Sequence, residues 1–178
     1  MFENSWANPW KKVWGNRKFR YSLFFSMVFF SLALFLDALA LSFFAGEAGP
    51  PLNDLILDHL PIINLNLFYT YGVSFFVVAF IVYILNHPSL LPFTFYSVGL
   101  LLLVRRAFSS LTRMGIHQDF LATYNPADYA ELFGPYFDPS DFFFSGHTAT
   151  LFLFFLILRG QKMRWLFLFG SILMGITV

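Results

Sequence analysis

The longest apolar run of this chain, residues 21–44, contains a single charged residue, Asp37. A helix of about 20 apolar residues is long enough to cross the hydrocarbon core of a bilayer. Hydrophobic residues make up 58% of the chain and charged residues only 12%, whereas roughly a quarter of the residues of a soluble domain are charged. The sequence therefore indicates a membrane protein.

Further apolar segments follow the first one. They cover residues 65–85, 89–108, 142–158 and 165–178. The last of them is shorter than the roughly 20 residues that a span needs, so we expect this fifth span to be incomplete and to continue past residue 178. The pattern predicts an all-α fold, a polytopic transmembrane helix bundle that forms a single membrane domain.

The basic residues are unevenly distributed between the ends of the predicted spans. Residues 1–20 and the turn at 159–164 hold most of the Lys and Arg residues, and the loops at the opposite ends hold most of the Asp and Glu residues. Because Lys and Arg are enriched on the cytoplasmic side, we expect a multi-pass integral membrane protein with a cytoplasmic N-terminus. Arg105 and His147 would then lie on the extracytoplasmic or lumenal face.

The cytoplasmic arm, residues 1–20, carries Trp6, Trp10 and Trp14 at every fourth position. This spacing is compatible with a short interfacial helix. The alternative is ordinary juxtamembrane anchoring by tryptophan, and the sequence favours that interpretation.

The stretch DFFFSGHTATLFLFFLIL, residues 141–158, places polar residues at the mouth of an apolar helix. A glycine weakens a helix and a buried His needs a partner, so these residues point to a function. The helix begins either near Asp138, as N-cap, or at Ser145. Either start directs the positive end of the helix dipole outward, where it favours an anion such as phosphate.

Arg105 and Arg106 end the third span on the same predicted face. An arginine can donate two hydrogen bonds to phosphate, and a His can protonate a departing alkoxide. These parts predict phosphoryl transfer, with Arg105 as the preferred phosphate ligand because Thr112 lies on the same helix face. The alternative is that both arginines only extend towards the interface.

Other kinds of site are disfavoured. The chain has no cysteine, which excludes thiol catalysis and thiolate metal sites, and the motifs H-E-x-x-H and G-x-S-x-G do not occur. Asp58 and His59 lack further ligands at a suitable spacing, so we predict no metal and no cofactor. Asp37 is either a hydrogen-bonding residue between helices or a functional one, and a non-catalytic protein or a small transporter that uses Asp37 stays an alternative.

The motif D-x-x-x-S-G-H-T-A, which starts at Asp141, resembles the third motif of the sphingomyelin synthase-like branch of the lipid phosphate phosphatase superfamily. GPPLND at residues 49–54 and RRAFSSLT at residues 105–112 resemble the first and second motifs of that family. The segments occur in the family's order and span essentially the whole chain. The family's Lys-x6-Arg-Pro signature is missing, which favours the synthase-like branch.

The resemblance implies a six-span phospholipid head-group phosphotransferase without a cofactor. Its partners would be the bilayer, a phospholipid donor and a lipid alcohol acceptor, or water in a phosphatase, and no nucleic acid. It implies a phosphohistidine on a His shortly after residue 178, followed four residues later by an Asp, so we expect the 178-residue chain alone to be inactive. The implied site residues are His147 as acid and base, Arg105, Ser145 and Gly146 as phosphate ligands, and Asp54, Arg106 and Asp141 as supporting residues.

The predicted topology can be tested with single cysteines, because the chain has no native one. In intact cells, a thiol probe that cannot cross the membrane is expected to label a cysteine within residues 119–138 and not one in the turn at 159–164, which its basic residues retain in the cytoplasm. Labelling of the turn but not of the loop would contradict this topology.

Overall fold

A computed structural model of the protein describes residues 7–44, 71–112 and 145–177, and every regular element in these ranges is a helix. The elements in chain order are α1 (Ala7–Trp14), α2 (Arg17–Phe44), α3 (Val73–Asn86), a 3-10 turn (Pro88–Leu90), α4 (Leu91–Thr112), α5 (Gly146–Ile157) and α6 (Arg164–Thr177). The predicted all-α class is thus confirmed for the described residues.

Two of these helical segments are long and apolar enough to cross a membrane. They are Arg17–Phe43 and Pro88–Thr112, which correspond to the first and third predicted spans. The helices α3, α5 and α6 are apolar but shorter, and their spanning of a membrane stays a prediction. Many large apolar side chains face outward, among them Phe35 at 63% exposure and Phe75 at 62%, as expected of a surface covered by lipid.

The helices α2 and α4 pack along each other through aromatic rings and a glycine. Phe30 and Phe95 have ring centroids 5.4 Å apart, and Phe29 contacts Tyr96 with centroids 5.5 Å apart. A methyl group on Gly99 would lie only 2.9 Å from the ring of Phe29. Small residues of this kind let two helix backbones approach closely in a membrane.

A second packing unit consists of α3, α5 and α6, and most of the buried core lies there. Phe80 of α3 and Phe154 of α5 stack in parallel with ring centroids 3.6 Å apart. Phe167 of α6 meets both rings edge-on at 5.7 Å, a favourable geometry for aromatic pairs. The polar hydroxyl of Ser171 donates a hydrogen bond to the carbonyl of Thr148 at 3.0 Å, which fixes α6 against α5.

Contacts at the two ends show that the helices alternate in direction. At one end, Trp10 Nε1 of α1 donates to the carbonyl of Leu85 in the last turn of α3 at 2.9 Å. At the opposite end, which we call the site end, the last turns of α4 meet the first turn of α5, where Arg105 lies beside Gly146. The N-terminal arm is helical over Ala7–Trp14, and its position at a membrane interface stays a prediction.

The observed helix boundaries differ from the predicted spans by a few residues. The helix α2 begins at Arg17 rather than at residue 21, because Asn16 Oδ1 accepts the N–H of Lys18 at 2.9 Å and so caps a basic first turn. The helix α4 continues to Thr112, whose hydroxyl donates to the carbonyl of Phe108 at 2.9 Å within the helix. Hydropathy alone underestimates helices whose ends are polar.

The close packing of α6 against α3 gives a stability test. A methyl group on Gly170 would lie 2.6 Å from the ring of buried Phe76, so Gly170→Ala is expected to lower the free energy of unfolding by about 1–3 kcal/mol. The matched control is Gly175→Ala in the same helix, where the methyl meets Thr148 at an ordinary 3.6 Å. Unfolding in mixed detergent micelles, followed by circular dichroism, should separate the two variants, and equal stabilities would contradict the packing.

Candidate functional site

The site end begins with the N-cap of α5. Ser145 is extended, with φ −62° and ψ 102°, and its Oγ accepts the N–H of Thr148 at 3.4 Å. The hydroxyl of Thr148 lies 3.0 Å from the same Oγ, and the carbonyl of Ser145 accepts the N–H of Ala149 at 3.0 Å. The helix therefore begins at Gly146, and of the two starts that the sequence allowed for this helix, the one at Ser145 is observed. The first-turn N–H groups and the positive end of the dipole lie at the site end.

Arg105 covers the backbone of Gly146. A methyl group on Gly146 would lie 3.1 Å from Nε and 3.2 Å from Cζ of Arg105, which is tighter than ordinary van der Waals contact. The absence of a side chain at Gly146 thus lets the guanidinium lie directly on the start of α5. The helix N-terminus and an arginine, two groups that favour anions, are brought to one place.

His147 follows Gly146 in the first turn and is half-buried. It is the next residue after Gly146, whose backbone the Arg105 guanidinium contacts. The structure therefore brings together the residues predicted to bind phosphate, Arg105, Ser145 and Gly146, with the predicted acid and base, His147. Ser145, Gly146 and His147 are consecutive, so the observation is that Arg105 reaches them from a separate segment. The phosphate-binding and acid–base roles stay predictions.

Arg106, predicted as a supporting residue of the site, is turned towards α2. Its Nε–H donates to Oδ1 of Asp37 at 2.8 Å, and the two side chains are 10% and 20% exposed. The sequence left open whether Asp37 forms a hydrogen bond between helices or has a function. The contact with Arg106 is a hydrogen bond between helices. The prediction grouped Arg105 and Arg106 together, but neighbouring residues of a helix point about 100° apart, so the two arginines reach different helices.

The preference for Arg105 as phosphate ligand, which rested on Thr112 lying on the same helix face, stays a prediction. The hydroxyl of Thr112 bonds a carbonyl of its own helix, that of Phe108. Arg105 is instead distinguished by its contact with Gly146. The sequence reasoning also missed Thr148, which contacts the cap and accepts Ser171 of α6. An N-cap Ser accepts the N–H of a residue two or three positions on, so a helix start at Ser145 could have indicated Thr148.

Some predicted residues lie outside the described part of the chain. Asp54 and Asp141, named as supporting residues, are among them, and so are Asp58 and His59. Within residues 7–44, 71–112 and 145–177, no group of three or more His, Cys, Asp or Glu residues could hold a metal ion.

Comparisons of the chain with protein-family models, with curated proteins and with solved structures gave no match. The resemblance to the lipid phosphate phosphatases therefore rests on the motif residues alone. The contact between Arg105 and Gly146 is an observation of a different kind, since it joins two of those motifs in space.

The N-cap can be tested by mutation. Ser145→Ala removes the acceptor for the Thr148 N–H, and loss of such a cap costs about 0.5–2 kcal/mol of unfolding free energy. The control is Ser110→Ala in α4, whose hydroxyl only donates to the carbonyl of Ala107 and whose loss should be nearly neutral. Thermal unfolding in detergent measures both, and an equal effect of the two substitutions would show that Ser145 is not a cap.

Proposed function

We propose that this protein is a phospholipid head-group phosphotransferase of the sphingomyelin synthase type, acting at the extracytoplasmic or lumenal face of a membrane. The observation that carries the proposal is the contact of the Arg105 side chain with Gly146 at the start of α5, one residue before His147. The motif resemblance supports the same reaction. The acceptor and the head group are left open by the residues in this chain.

Two groups at the site end favour the negative charge of a phosphodiester. The helix α5 contributes its positive N-terminal end, and Arg105 adds a guanidinium whose fork of N–H groups matches phosphate oxygens. Asp37 is the only acidic residue in the described segments, and it contacts Arg106. Among the described residues, the guanidinium of Arg105 therefore lies at the positive start of α5, and the pairing of these two groups favours an anionic substrate.

We assign to His147 the exchange of a proton with the reacting oxygens. In the proposed first half-reaction, a His nucleophile bonds to phosphorus, the bond from phosphorus to the diacylglycerol oxygen breaks, and His147 gives its proton to that oxygen. In the second half-reaction, His147 takes the proton of the acceptor hydroxyl, whose oxygen bonds to phosphorus as the phosphohistidine is cleaved. The nucleophile in this proposal is the His that the family resemblance implies.

The proposal includes a multi-pass topology with a cytoplasmic N-terminus. The two long apolar helices support insertion in a membrane. The contacts that join α1 to the end of α3, and the end of α4 to the start of α5, support helices that alternate in direction. With the basic arm and the turn at 159–164 in the cytoplasm, the site end lies on the opposite face, where the head groups of the outer leaflet are.

Two alternatives lead to different products or to none. A lipid phosphate phosphatase would use the same phosphate ligands and transfer the phosphoryl group to water. A small transporter was conceivable with Asp37 as its polar site, but the Asp37 carboxylate accepts a hydrogen bond from Arg106 at 2.8 Å. The contact compensates the charge of Asp37 within the protein, so no observation favours the transporter.

The activity of the intact gene product decides between these functions. In proteoliposomes that contain a head-group-labelled phospholipid and ceramide or diacylglycerol, the wild type is expected to form a labelled lipid product. His147→Ala is expected to lower the rate by about 10²- to 10⁴-fold, because a general acid is lost. Arg105→Ala should also lower it, and Arg105→Lys should recover little, since the fork geometry is lost.

Matched controls lie at the other end of the bundle. His87, stacked on Tyr83 with ring centroids 4.2 Å apart, is the control for His147, and exposed Arg159 is the control for Arg105. Both alanine variants should retain activity. Release of a water-soluble phosphorylated head group instead of a labelled lipid would show that water is the acceptor, and release of inorganic phosphate from a lipid phosphate would identify a phosphatase. An unchanged rate in His147→Ala would overturn the proposed role of this site.

A further inference from the structure

We infer that Asp37 and Arg106 are a positioning pair: their contact fixes the rotation of α4 about its axis and thereby holds Arg105 on Gly146. This inference rests on the proposed function, because it assigns the pair a role in the same site. Neither residue is argued to touch the substrate.

The pair lies at nearly the same distance from the helix ends as Arg105. Asp37 is seven residues before the end of α2, and Arg106 is six residues before the end of α4, which places each about 10 Å from its helix end at 1.5 Å per residue. Arg105, the neighbour of Arg106, therefore contacts α5 at nearly the same level. A constraint on Arg106 acts within one residue of the proposed phosphate ligand.

Because of the helix geometry, the contact of Arg106 with Asp37 determines whether Arg105 can contact Gly146. Arg105 and Arg106 point about 100° apart around α4, so one reaches α5 while the other reaches α2. The hydrogen bond from Arg106 Nε to Asp37 is directional and short, at 2.8 Å. If α4 turned about its axis, this bond would break, and Arg105 would leave the backbone of Gly146.

Holding α2 and α4 together does not require the pair. The two helices already pack through the ring contacts of Phe29 and Phe30 and through the close approach at Gly99. Replacing a buried ion pair by apolar residues of similar size is often neutral or stabilising. We therefore expect the pair to add little to stability. Its role is to set the orientation of α4, the helix that carries Arg105.

Two variants separate positioning from stability. Asp37→Leu/Arg106→Met replaces the pair by apolar side chains, and is expected to keep the melting temperature while lowering kcat/KM on the order of 10²-fold, the effect of a displacement of about 1 Å at a reacting centre. Asp37→Asn keeps an oxygen acceptor for Arg106 but loses the charge. It is expected to lower the melting temperature and to retain most of the activity of the folded enzyme.

A distance measurement tests the inference without using activity. Leu111 of α4 and Ile176 of α6 are 82% and 73% exposed, and the chain has no cysteine, so both positions can be replaced by cysteine and spin-labelled. The distance distribution should be narrow in the wild type and in Asp37→Asn, and shifted or broadened in the apolar double variant.

The outcomes distinguish this inference from the proposed function. If the wild type transfers no head group but the distances change as expected, the proposed function fails and the positioning role stands. If the apolar double variant has wild-type kcat/KM and wild-type distances, the pair does not position α4 and the inference is wrong. The inference is equally wrong if that variant only melts at a lower temperature, because the pair would then be structural alone.

Discussion

A charge inside an apolar helix bundle must be compensated by the protein, and this constraint organises the site end. Asp37 lies within the longest apolar helix and Arg106 within the next long one, and their contact is 2.8 Å. Because neither group can obtain full hydration there, the two helices are favoured in the one relative orientation that joins them. The position of Arg105 follows from that orientation, since it is the next residue along α4.

Glycine has a related role at each close approach in the fold. Gly99 admits the ring of Phe29 between α2 and α4, and Gly170 admits the ring of Phe76 between α6 and α3. Gly146 admits a guanidinium rather than a ring. In the first two cases the missing side chain serves packing between helices. At Gly146 the missing side chain lets the Arg105 guanidinium lie against the start of α5. The close approach there therefore forms a candidate anion site.

Much of the local structure could be predicted from the sequence. The apolar runs correspond to α2–α6, and the quartet that starts at Ser145 does begin a helix. The contact of Arg105 with Gly146 and of Arg106 with Asp37 distinguishes the two arginines, and the preference for Arg105 as a phosphate ligand stays a prediction. What the sequence could not provide was the partner of each arginine. Two adjacent arginines look alike in a hydropathy pattern, and only the rotation of α4 against α2 and α5 separates them.

The sequence by itself predicted the helices of the described residues and two segments long and apolar enough to cross a membrane, and it narrowed the start of α5 to Asp138 or Ser145, because hydropathy and capping depend on residues close together in the chain. The tertiary structure alone decided that Arg106 meets Asp37, that Arg105 lies on Gly146 and that Thr148 joins α5 to α6. These contacts link residues far apart in the chain. Which of them form depends on how each helix is turned about its axis, and that is set by packing and charge compensation over the whole bundle.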